Sequence, residues 1–181
     1  MMQLQQMTAF LKSVNKETAI ETSEKTLRLI SKHLLELDNK LVMEGGSLGE
    51  KAKTVAKQDI DKLSKYKLDV LFTLHNLYII HQDFVKALEY VKQHTQVTEE
   101  IFNRKHKSYA YALLLEAQCM SHLPNADHTE TLTTINQALA IQVALCQNGK
   151  PDVFLARVYE EKGHVLRILA GDITQTNHYN L

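Results

Sequence analysis

Proline is nearly missing: two residues in 181, with only six glycines beside them. Chains built from β-strands need turn residues at frequent intervals, so this scarcity points to helices. Charge of one sign is missing too. Twenty-one basic residues balance twenty-one acidic ones, which argues against a general nucleic-acid binder. Cysteine is scarce. Cys119 and Cys146 form no short pairing motif, so a reducing, cytoplasmic setting is expected. No apolar run approaches the roughly 20 residues of a membrane span, and no membrane insertion is expected. The first acidic residue is Glu17. "MMQLQQMTAFLKSVNK" therefore allows a mitochondrial alternative, but it has no arginine, and transit peptides are typically rich in it. An amphipathic first helix over 3–13 is the better reading.

Catalytic motifs are also absent. There is no H-E-x-x-H, and "EGGSLGE" lacks the G-K-[ST] ending of a phosphate loop. No serine nucleophile motif occurs. Cys119, His122 and His128 form C-x2-H-x5-H, but Pro124 interrupts them and no fourth ligand is evident. The expectation is no metal, no cofactor and no enzyme. Glu160 and Glu161 are adjacent, so as helix residues they point apart and read as a solvated face.

What is present is amphipathic helix. With 44% hydrophobic residues the chain can bury a core. Ile20, Leu27, Ile30, Leu34, Leu37 and Leu41 recur at helical steps and predict a helix over 18–43. "EGGSLGE" breaks it, with Ser47 and Glu50 spaced as a capping box for the next helix. That helix runs lysine-rich and solvated to a break near Ser64, then apolar through "LDVLFTLHNLYII". After "HQD" come four more elements: a helix over 84–102, the polar connector "NRKHKS", an apolar helix closed by Pro124, and a helix from about 129 to 145. The turn "QNGKPD" precedes a final helix over 153–170. Arg104 to Lys107 read as a solvated loop. The expected division is an N-terminal helical extension over 1–46 and a helical domain over 47–181.

From residue 69 the helices fall into register. Leu71, Leu74, His75 and Tyr78 align with Leu113, Glu116, Ala117 and Met120, and again with Tyr159, Lys162, Gly163 and Leu166. Breaks occur at Gln82-Asp83-Phe84, Ala126-Asp127-His128 and Gly171-Asp172-Ile173. Ala87-Leu88, Val91 and His94 align with Thr131-Leu132, Ile135 and Ala138. The pattern "L..LH..Y....DF..AL" and "Y..KG..L....GD" over 69–173 resembles the tetratricopeptide repeat. Its long spacing and the run "ETLTTINQALAIQVALCQNGKPDV" are similar to the kinesin-light-chain variant. The resemblance implies an all-α chain of antiparallel hairpins stacked as a short superhelical array.

It also implies a place for each residue. Glycine costs about 1 kcal/mol in a helix relative to alanine. Gly163, like Ala117, is expected where helices cross most closely. His75 in the same slot predicts a wider crossing, or an imidazole bonded across it. The first helices would line a concave groove for a protein or peptide. Its candidates are Phe72, Asn76, Tyr111, Leu114, Gln118, Arg157, Glu160, His164 and Arg167. Phe72 stands where chaperone-binding members carry a lysine four residues before Asn76, which disfavours chaperone-tail binding. The implied function is an adaptor or a structural subunit of a larger assembly. The alternative is a peptide or small-ligand sensor of the same repeat type.

Overall fold

The computed structural model describes residues 16–44, 48–146 and 152–171. Six helices account for nearly all of them: α1 (Lys16–Glu44), α2 (Glu50–Ile80), α3 (Phe84–Phe102), α4 (Lys107–Ser121), α5 (His128–Leu145) and α6 (Val153–Leu169). No strand occurs among the described residues. The chain is all-α, with neighbouring helices packed side by side, α1 on α2, α4 on α5 and α5 on α6. The expected helix over 3–13 lies outside the described residues.

Helix boundaries reflect local chemistry. Aspartates stand at three of the breaks. The Asp83 carboxylate accepts from the Lys86 N–H at 3.1 Å. Asp127 caps α5 by accepting from Thr129 and Glu130, and Asp152 caps α6 by accepting from Phe154. Such caps are typically worth about 1 kcal/mol each. Gly171 comes after α6 with φ 77°, the left-handed conformation that ends helices at low cost. Two sequence expectations need correction. The N-cap of α2 is Gly49, which offers no side-chain bond, and Ser47 lies outside the described residues. No break occurs at Ser64, for α2 runs unbroken from Glu50 to Ile80. Its solvated half is supported by local pairs, Lys53 with Glu50 at 3.0 Å and Lys65 with Asp61 at 2.7 Å.

Two compact units divide the chain, residues 1–97 and 98–181, and the division falls inside α3. In the first unit, α1 turns its predicted stripe of Ile20, Leu27, Ile30, Leu34, Leu37 and Leu41 to partial burial, while Leu29 and Leu35 stay exposed. Leu71, Leu74 and Leu77 of α2 are buried, as are Ala87 and Val91 of α3. The α2–α3 seam is read directly from its contacts. His75 Nδ1 lies 3.4 Å from the Ala87 carbonyl, and the Tyr78 and Tyr90 rings stack at 5.5 Å. The imidazole is thus bonded across the crossing, one of the two arrangements expected for it.

The core of the second unit holds Leu114 and Ala117 from α4, Ile135 from α5, and Val158 and Val165 from α6. Burying a side chain of this size contributes about 1.5–3 kcal/mol. Thr131 is fully buried, and its hydroxyl donates to the Asp127 carbonyl at 2.9 Å.

Among the described residues Gly163 does not sit at a close crossing. No described atom lies within 4 Å of a Cβ built on it. Tyr159 and Leu166, the large residues of the same repeat slots, are 53% and 44% exposed. The equivalent slots of α2 and α4 are buried. The difference lies in the succeeding helix. His75 and Tyr78 of α2 meet α3, and α5 packs on α4, but no helix succeeds α6 among the described residues. The buried stripe of α6 is Phe154, Val158, Glu161 and Val165, on the other side of the helix. Gly163→Ala is therefore expected to stabilise the chain by about 0.5–1 kcal/mol in dilute solution, through helix propensity alone. Denaturant midpoints check this, and a loss of stability would put a neighbour against that face.

Candidate functional site

Seven of the nine candidate residues lie on α4 or α6, and the structure sorts them. Tyr111 of α4 meets Phe154 of α6 with ring centroids 5.8 Å apart and planes tilted by 57°. One helical turn pair further along, Gln118 Nε2 donates to Glu161 Oε2 at 3.4 Å. His164 stacks on His122 at 6.5 Å. Tyr111, Gln118 and His164 thus line one seam, and all three are half-buried. Arg157, Glu160 and Arg167 are exposed on α6. Leu114 is corrected from groove to core: at 1% exposure it packs with Ile135, Val158 and Val165.

The remaining two candidates belong to the first unit. Phe72 packs at 6.3 Å from the His75 ring and 6.1 Å from the His94 ring, so it is committed to the α2–α3 seam. Asn76 is half-buried on the same helix.

Sequence reasoning missed the residue that organises the α4–α6 seam. Glu161 is half-buried and receives Ser121 as well as Gln118, with Ser121 Oγ 3.2 Å from its Oε1. The signal was present. Glu161 shares the helical stripe of Phe154, Val158 and Val165, which faces inward, whereas its neighbour Glu160 faces outward.

Serine, histidine and glutamate in one cluster invite a test for nucleophilic catalysis. The geometry does not make His122 the base. His122 Nδ1 lies 2.7 Å from the Gln118 carbonyl, so it carries a proton and donates it there. The same nitrogen is the one 3.1 Å from Ser121 Oγ, so it has no lone pair to take the serine proton. Ser121 is itself buried. The cluster does what satisfied polar groups do in a helix seam: it fixes register and leaves its outer rim polar.

Cys119, beside this cluster, is fully buried, and burial pushes its thiol up to about 12. That keeps it protonated and unreactive. Among the described residues no group of three or more histidine, cysteine or carboxylate side chains is placed to hold a metal ion. No described helix is long and apolar enough to cross a membrane.

The first unit holds a second polar cluster that the sequence did not disclose. Tyr78 and Tyr90 both donate to Glu24 Oε1, at 3.1 and 2.9 Å. Lys86 lies over the Tyr78 ring, 5.2 Å from its centroid. Burial, reinforced by the glutamate, raises Tyr78 to about 12 and also raises Tyr90. One carboxylate oxygen thereby ties α1 to both α2 and α3.

No family model, no curated protein and no solved structure matches the chain.

The α2–α3 seam has a pH consequence. Burial lowers His75 below the ordinary histidine value and lowers His94 to about 4, with His75 a smaller contributor to the latter. The unfolded chain takes up these protons near pH 6.5, whereas the folded chain takes them up only at lower pH, His94 near 4. Stability is therefore expected to be complete above pH 6.5 and to fall as pH drops toward 4. His94→Phe should flatten that fall. Denaturant midpoints across this range check it, and an unchanged profile would count against the buried histidines.

Proposed function

We propose that this chain is a non-catalytic protein–protein interaction module of the tetratricopeptide type, acting as an adaptor or as a subunit of a larger assembly. The observation that carries the reading is the α4–α6 seam. Two successive first helices lie together, and a polar network between them is capped by half-exposed Tyr111, Gln118 and His164. Arg157 stands exposed on the same side of α6, between Phe154 and Glu161 on its inward stripe and solvent. An aromatic ring, an amide and a guanidinium held on rigid helices suit recognition of a peptide or a protein segment. Tyrosine and arginine are over-represented among residues that dominate binding energy. The amide and imidazole add directional hydrogen bonds, and the fixed helices reduce the entropy lost on binding.

Two further features support the reading. His122 Nδ1 is not placed as a base for Ser121, and the buried thiol is held protonated. A cytoplasmic setting fits two free cysteines, one of them buried.

The test begins with a tagged chain recovered from its native source and quantified with its partners by mass spectrometry. The Arg157→Glu variant is then compared with it. The expected result is a stoichiometric protein partner that the variant loses by at least about tenfold in affinity while its thermal unfolding is little changed. Retained binding would remove the seam from the interface. A chain recovered alone, but stabilised by a peptide or small metabolite, would favour the sensor instead.

A further inference from the structure

α6 has two apolar faces, and among the described residues only one is packed. The inner face of Val158 and Val165 fills the core. The outer face carries Ala156, Tyr159, Gly163, Leu166 and Ala170, and four of these five are exposed. The counterparts of Tyr159, Gly163 and Leu166 on α2 and α4 are buried. Its charges are informative. Glu160 and Arg167 are seven residues apart, so they share one flank of this face. Along a helix that spacing is about 10 Å, too far for them to pair with each other. Among the described residues neither makes an ion pair, and both are exposed.

We propose that this face binds a second copy of the chain, with the two α6 helices crossing antiparallel about a two-fold axis at Gly163. The pattern is self-complementary about that residue. Ala156 lies seven positions before it and Ala170 seven after, so each would oppose the other across the axis. The three smallest residues of the face thereby meet along one line and let the backbones approach, while Tyr159 and Leu166 close over one side of it. In this antiparallel arrangement residues on the same flank of the two helices face each other. Glu160 of each copy then lies beside the partner's Arg167, giving two reciprocal ion pairs. A parallel pairing would set these charges against the opposite flank, which holds Leu155, Lys162 and Leu169. There Glu160 would meet Lys162 but Arg167 would face Leu169, so only the antiparallel form pairs both charges. Lys162 lies near the axis on that second flank, and its long stem lets the ammonium turn out to water. One helix pair is a small interface, so the dimer is weak and dissociates on dilution.

Sedimentation velocity of the full chain at low salt tests this across a wide concentration range. The expected result is a reversible monomer–dimer equilibrium. Glu160→Arg and Arg167→Glu should each weaken it by about tenfold, since each single change sets like charges together. A mixture of the two single variants should form a heterodimer tighter than either homodimer, and the double variant should recover. Gly163→Leu should give a monomer with unchanged helical circular dichroism. A wild-type chain monomeric at every concentration would assign the face to a different protein and overturn the proposal. So would a dimer indifferent to Glu160→Arg, or a mixture no tighter than its components.

Discussion

The burial of Val158 and Val165 against Leu114, Ala117 and Ile135 governs what the second unit can do. A helix has one rotation, and this contact sets it for α6. Once those two valines point inward, Phe154 and Glu161 must join them on the same stripe. Phe154 then meets Tyr111, and Glu161 receives Gln118 and Ser121. Arg157, Glu160 and Arg167 are left to solvent, and Tyr159, Gly163 and Leu166 form a second apolar face with no described helix upon it. The α4–α6 seam and the open face are two consequences of one packing choice. Burial of this kind outweighs the rest. Two valines contribute about 3–6 kcal/mol together, against tenths to about 1 kcal/mol for an exposed ion pair.

The first unit is tied differently. Its apolar seam between α2 and α3 is threaded by histidines and tyrosines rather than closed by aliphatics alone. His75 bonds across to a backbone carbonyl, and Glu24 collects two phenols. Buried polar groups cost free energy unless they are bonded, so this seam is specific in register and sensitive to acid.

Much of the fold was legible in the sequence, and the reasons are local. The stripe of α1, the Asp83 and Asp127 breaks, and the start of α6 all rest on periodicity and capping, which neighbouring residues decide. The buried slots of α2 and α4 were legible for the same reason. The expected break at Ser64 was not, because a single polar residue does not end a helix whose flanks are good helix formers with paired charges. The site was less legible. Gly163 and its neighbours match the repeat pattern of α2 and α4, yet that face is open, because burial depends on a succeeding helix and not on the stripe itself. Leu114 was read as a flanking residue, yet it is central to the core. Glu161 was hidden by its adjacency to Glu160. The pairings of Phe72 with His94 and of Glu24 with two tyrosines join distant positions, which no local pattern reports.

The rotation of α6 is the central claim, and thiol accessibility measures it most directly. In a background of Cys146→Ser, with buried Cys119 as an internal reference, single cysteines would replace Val158, Tyr159, Val165 and Leu166 in turn. Labelling under native, dilute conditions should be rapid at 159 and 166 and slow at 158 and 165, where it should match Cys119 and await unfolding. Protection at 159 and 166 with rapid labelling at 158 and 165 would show that α6 presents the opposite face. That result would remove both the α4–α6 seam and the open apolar face.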